Sequence, residues 1–81
     1  MDNTGDRKRV AGFNQFLKLV RRGKALKVYL ANDADSFFSR GVKNELSGQT
    51  NVVLDEKYTS KQLAEMVGVE VPTAVVTETR G

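Results

Sequence analysis

An α/β fold, a three-layer α/β/α sandwich around a small mixed sheet, is predicted by three features of this sequence. Amphipathic stretches with helical spacing alternate with short runs rich in valine and other apolar residues across the 81 positions. The segments joining those runs are long enough for helical crossovers, which a parallel pairing needs and a hairpin does not. One run, Leu26-Lys27-Val28-Tyr29-Leu30-Ala31, alternates and then becomes continuously apolar, as an inner strand covered on both faces does.

Met1 to Asp6 is polar and is expected to fray, within a single domain spanning 1–81. Arg7 to Ala11 reads either as a short edge strand or as the lead-in to the first helix, with Gly12 at the junction. Phe13, Phe16, Leu17 and Val20 follow at i, i+3, i+4 and i+7, an arc of roughly 100° turned toward a core. That helix runs to about Arg22 and stops at Gly23, a residue free to take positive φ, with arginine in the last turn as the dipole prefers. Asn32 to Ser36 breaks the inner strand, and Asp35 or Ser36 caps a second helix from about Phe37 to Leu46 that buries Phe38, Val42 and Leu46. Adjacent Phe37 and Phe38 cannot share a helix face, so one is left exposed, open to a stacking or partner role. Asn51 to Leu54 is a brief strand. Thr59 or Ser60 caps a third helix, Lys61 to Val67, ended by Gly68, and Thr73 to Thr79 is a final strand after Pro72.

The composition narrows the chemistry. A hydrophobic fraction of 40% and a charged fraction of 28% suit a globular chain rather than a disordered one. With no cysteine and no histidine, disulfides, thiolate nucleophiles and the commonest metal ligand and neutral-pH base are excluded together. Asp33 and Asp35 resemble a metal pair but lack further clustered acids, and read better as a strand-end loop and a helix cap. Neither a cofactor nor an enzymatic activity is expected: two-metal chemistry wants three or more converging carboxylates, and no phosphate-cradling glycine-rich loop is present. Without a long apolar run or a signal-peptide pattern, the expectation is a soluble, cytoplasmic, monomeric protein with no membrane contact.

Charge is unevenly spread. Residues 1 to 27 hold eight lysines and arginines against Asp2 and Asp6, a net of +6, while the remainder is net −3. On the first helix, Asn14, Gln15, Lys18, Arg21 and Arg22 occupy the arc opposite the phenylalanines, and Lys24 follows Gly23. Exposed helices usually carry acids in the first turn. Neutral amides there, followed a turn later by cations, make a surface that can read base edges and hold a phosphate backbone. The competing reading of the same residues is a solvated helix face, with Arg22 and Lys24 serving the dipole. Phe13 and Phe16 lie on the core side and read as core rather than as stacking platforms. A small protein-interaction module is the alternative function, distinguished by binding that does not respond to salt.

Four segments in order, Gly12-Phe13-Asn14-Gln15-Phe16-Leu17-Lys18, Arg22-Gly23-Lys24-Ala25, Leu30-Ala31-Asn32-Asp33-Ala34-Asp35 and Val67-Gly68-Val69-Glu70-Val71-Pro72, resemble the kink-turn-binding ribosomal proteins related to archaeal L-seven-Ae and eukaryotic L-thirty-e, in their short bacterial form. The resemblance spans Arg7 to Glu78 and implies the L-thirty-e-like sandwich and a sharply bent RNA partner with tandem sheared G·A pairs, ribosomal or regulatory. It places Asn14 and Gln15 on the guanines of those pairs, Lys18 and Arg22 toward the RNA, and Val69, Glu70 and Val71 around an extruded nucleotide. Gly12, Lys24 and Asp35, within the matching segments, join the RNA-binding set. Two departures stand out: relatives commonly carry Asn-Glu or Lys-Gln at the two amide positions where this chain has Asn14-Gln15, and Leu63 is followed by Ala64-Glu65 where many relatives have glycine and a basic residue. Lys61 is the candidate backbone contact in its place.

Overall fold

A computed structural model describes residues 7–80, so the segment expected to fray, residues 1–6, lies outside the described residues. The elements run β1 (Arg7–Ala11), α1 (Phe13–Arg21), β2 (Ala25–Leu30), α2 (Ser36–Leu46), β3 (Val53–Asp55), α3 (Ser60–Val67) and β4 (Val75–Arg80). Their strands form one sheet in the order β1-β4-β2-β3. β2 and β3 pair in parallel across the α2 crossover, whereas β4 runs antiparallel to β1 on one side and β2 on the other. Three strands therefore share a direction, and the last one is threaded between β1 and β2 against it. This is the mixed sheet expected, and the open choice at Arg7 to Ala11 resolves to an edge strand.

Alternation along the central strands builds the two outer layers. Val28 and Leu30 of β2 and Val75 of β4 face α1 and α2, where Phe16, Val20 and Val42 close a core. Tyr29, Ala31 and Val76 face the other way, onto Leu63 of α3. Phe16, Val28, Val42, Leu63 and Val76 are fully buried, each contributing roughly 1.5–3 kcal/mol over an exposed side chain. The expected burial on α2 holds: Phe38 and Leu46 pack against the first core, and Phe37 is the exposed member of its pair.

Element ends follow local chemistry for helices and distant partners for strands. α1 closes in a Schellman turn, with the Gly23 N–H donating to the Val20 carbonyl and the Lys24 N–H to that of Leu19. Asp35 is the cap of α2, and Thr59 forms a capping box with Gln62 at α3. β4 starts at Val75 rather than Thr73 because the Thr73 N–H is taken by the Ser60 carbonyl at 3.1 Å. β2 reaches back to Ala25, opposite Thr79, whose hydroxyl donates to the Lys24 carbonyl at 2.7 Å. β3 falls at Val53–Asp55 rather than 51–54, in register with Lys27, Val28 and Tyr29.

Candidate functional site

Gly12 turns the chain from β1 into α1 in a single residue. Its φ of 106° and ψ of 152° lie in a region open to glycine, and its N–H donates to the Val75 carbonyl at 3.1 Å while its carbonyl accepts from Phe16. Glycine supplies no side-chain cap, and no acid stands in the first turn. The positive end of the helix dipole is therefore open beside the exposed side chains of Asn14 and Gln15. Phe13 turns inward, with its ring 5.6 Å from Phe16 and 5.2 Å from Phe38.

Asn14, Lys18 and Arg22 recur every fourth residue, a stripe about 12 Å long on the outer side of α1. Together with Leu17 and Arg21 they line a shallow hollow. Ion pairing sorts the basic residues around it. Arg21 is held two-pronged by Glu45 of α2, Nε to Oε2 at 2.9 Å and a second guanidinium nitrogen to Oε1 at 3.3 Å. Those hydrogen bonds raise the Arg21 pKa and lower that of Glu45. Arg9 pairs with Glu78 at 3.2 Å and Lys27 with Asp55 at 3.5 Å. Lys18, Arg22 and Lys24 are exposed and have no carboxylate partner among the described residues. Lys24 sits past the helix end, at the opposite end of α1 from Asn14.

The remaining candidates meet at the other end of the sheet. The Gly12 N–H meets the Val75 carbonyl and the Ala31 N–H meets that of Ala74, so the start of α1, the loop after β2 and the loop before β4 lie side by side. Asp35 accepts the Phe38 N–H at 2.8 Å, the expected cap. Asp33 accepts both the N–H and the hydroxyl of Ser60, at 2.9 and 3.1 Å, which clamps the loop after β2 to the start of α3. Among the described residues no group of three or more potential ligands could hold a metal ion. Gly68, with φ 77°, ends α3, and the Val69 N–H donates back to the Ala64 carbonyl at 3.0 Å. Val69 and Val71 are 40% and 67% exposed on a loop pinned at both ends by Gly68 and Thr73, with Glu70 exposed between them. Ala64 is core, whereas Lys61 and Glu65 are exposed four residues apart on the same side of α3.

The fold thus places Gly12, Asn14, Gln15 and Asp35 at the end of the sheet where the Val69 to Val71 loop leads into β4, runs Lys18 along α1, and leaves Arg22 and Lys24 at the far end of that helix. Sequence reasoning missed that Arg21 is tied to Glu45 and that Arg40 of α2 lies in a groove beside Phe13. The second was detectable, since Arg40 stands one turn after Phe37.

The matching relatives agree with this architecture. Over 76 residues the chain is 36% identical to the RNA-binding protein TTE2299 of Caldanaerobacter subterraneus subsp. tengcongensis, covering 91% of this chain and 89% of that one. The structure of this chain is similar to that of the Giardia lamblia 15.5kD RNA binding protein, with a TM-score of 0.68 and 29% identity over 90% of this chain and 61% of the other. A Bacillus halodurans protein of unknown function shares the fold at a TM-score of 0.77, with 16% identity, 90% of this chain and 71% of that one covered. The family model for the ribosomal protein L7Ae/L30e/S12e/Gadd45 family matches residues 4–81, from before β1 through β4, and the chain belongs to that family.

Proposed function

We propose that this chain is a non-catalytic, monomeric RNA-binding protein that recognises and stabilises kink-turn-type RNA, acting in the cytoplasm on ribosomal or regulatory RNA. The observation that carries the reading is the Asn14, Lys18, Arg22 stripe: its cations are unpaired among the described residues while Arg9, Arg21 and Lys27 are tied to carboxylates. A stripe of one amide and two free cations suits an RNA edge and its phosphates. In this reading Asn14 and Gln15 meet the guanines of the G·A pairs, with Gly12 permitting close approach of the backbone. Lys18, Arg22 and Lys24 hold phosphates. Val69 and Val71 take an extruded nucleotide against apolar surface, with Glu70 and Asp35 bordering it. RNA is readable there because the bases are unstacked, whereas the A-form major groove is too narrow for side chains. The names of the similar proteins, two of them RNA-binding, support the RNA partner.

The test is a titration of the protein against a kink-turn RNA and against the same RNA with its G·A pairs replaced by Watson–Crick pairs, at two salt concentrations. Tight, salt-sensitive binding to the first alone is expected. Equal binding to both reduces the site to a basic patch, and binding to neither favours the protein-interaction module.

A further inference from the structure

The outer face of α2 carries an aromatic feature that the α1 stripe does not use. Phe37 is 84% exposed. Phe37, Arg40, Gly41 and Asn44 stand at i, i+3, i+4 and i+7, one face of the helix, and with Phe13 and Phe38 they line an open groove. The inner wall is packed: the Phe38 ring lies 5.2 Å from Phe13 at 59°, and both pack against the core. Phe37 stands at the solvent side, and at Gly41 even a Cβ would meet nothing within 4 Å. α1 and α2 run side by side in one direction, with Phe13 against Phe38 near their starts and Arg21 against Glu45 near their ends. The groove therefore opens at the start of α1, where Phe13 lines it and Asn14 follows in the sequence.

Charge and size decide its occupant. No carboxylate lines the groove, and its cation, Arg40, has no acidic partner among the described residues. Among the described residues the other large exposed apolar side chains are Val53 of β3 and Val69 and Val71 of the α3–β4 loop, so among them Phe37 is not part of a broad apolar patch. One ring with one cation is far short of the roughly 800 Å² per partner of a stable protein interface, but matches one nucleotide, whose base has a π-face and whose phosphate takes a guanidinium.

We infer that this groove holds an unpaired nucleotide of the bound RNA, its base stacked on Phe37 and its phosphate on Arg40, which extends the interface from α1 onto α2. The inference rests on the RNA-binding reading above. It is tested by titrating a kink-turn RNA that carries 2-aminopurine at each unpaired position in turn with the wild-type protein, Phe37→Ala, Phe37→Trp and the groove-filling Gly41→Leu. One position is expected to lose fluorescence on binding wild type and Phe37→Trp, and to stay bright with Phe37→Ala and Gly41→Leu. Those two variants are expected to bind about fivefold to a hundredfold more weakly. Wild-type affinity in Phe37→Ala, with preference for the kink-turn RNA intact, overturns the groove assignment and leaves the proposed function standing. If the wild type shows no such preference, the proposed function fails, and an unstructured oligoadenylate then decides the groove: weaker binding by Phe37→Ala upholds it, equal binding overturns it. A concentration-dependent dimer lost in Phe37→Ala, with RNA binding unchanged, also overturns it and assigns the groove to a second copy.

Discussion

Lys18 and Arg22 have no carboxylate partner among the described residues, whereas Arg21, between them in the sequence, is occupied by Glu45. Lys18→Ala is expected to weaken binding to kink-turn RNA and to reduce the slope of log affinity against log salt by about one, the signature of one lost phosphate contact. An unchanged slope in that titration removes Lys18 from the interface. Gln15 carries the opposite prediction. Guanine presents donors that a carboxylate accepts more strongly than an amide does, so Gln15→Glu is expected to tighten binding about fivefold, and only for RNA with its G·A pairs intact. Weaker binding by this variant places Gln15 against a phosphate instead. At this scale the helical stripe was legible, because spacing and charge are local properties of the chain. The loss of Arg21 to Glu45 was not, since the partner lies 24 residues away on another helix.

The helices end where their sequence signals say, whereas the strands end where distant partners decide. Asp35, Thr59, Gly23 and Gly68 mark their boundaries through hydrogen bonds within a few residues. Thr73 leaves β4 because Ser60 takes its N–H, a contact no local pattern announces. Gly68 also orients the Val69 to Val71 loop. Gly68→Ala, forced to φ 77°, is expected to cost about 1 kcal/mol in denaturant unfolding and to weaken RNA binding. Gly41→Ala, inside α2 with open space around its Cβ, is expected to be neutral or to stabilise by up to about 1 kcal/mol, and a loss there contradicts the open groove. At the end of β3, the Lys57 backbone N–H holds the Asp55 carboxyl below the ordinary range against the cost of burial, with Lys27 assisting. A lowered folded-state pKa contributes stability above the unfolded carboxyl value that is lost as pH falls through the folded one. Unfolding measured below about pH 4 should therefore show a shallower acid decline for Asp55→Asn than for wild type, and identical declines exclude Asp55 as a contributor.

Among the described residues one helix, α3, forms the second outer layer. Leu63 is the fully buried anchor of α3 against Tyr29, Ala31 and Val76, so Leu63→Ala is expected to cost about 2–5 kcal/mol. For a domain of this size that is a large share of the total and lowers Tm by roughly 10 °C or more; a melt within a few degrees of wild type contradicts α3 as a structural layer. The layered fold was legible because periodicity reports which faces are buried. The threading of β4 between β1 and β2 was not, because strand pairing is a long-range choice that hydrophobic spacing leaves open. Under the proposed function, α1 and the loops held on this sheet act as a template for bent RNA, and the shift they impose is limited by the differential affinity for bent over extended RNA. The direct test is energy transfer between fluorophores on the two helical arms of a kink-turn RNA in magnesium-free buffer, titrated with the protein. Transfer that rises to a plateau for this RNA and stays flat when its G·A pairs are replaced is the predicted result; binding without a rise, or an equal rise for both RNAs, contradicts recognition of the bend.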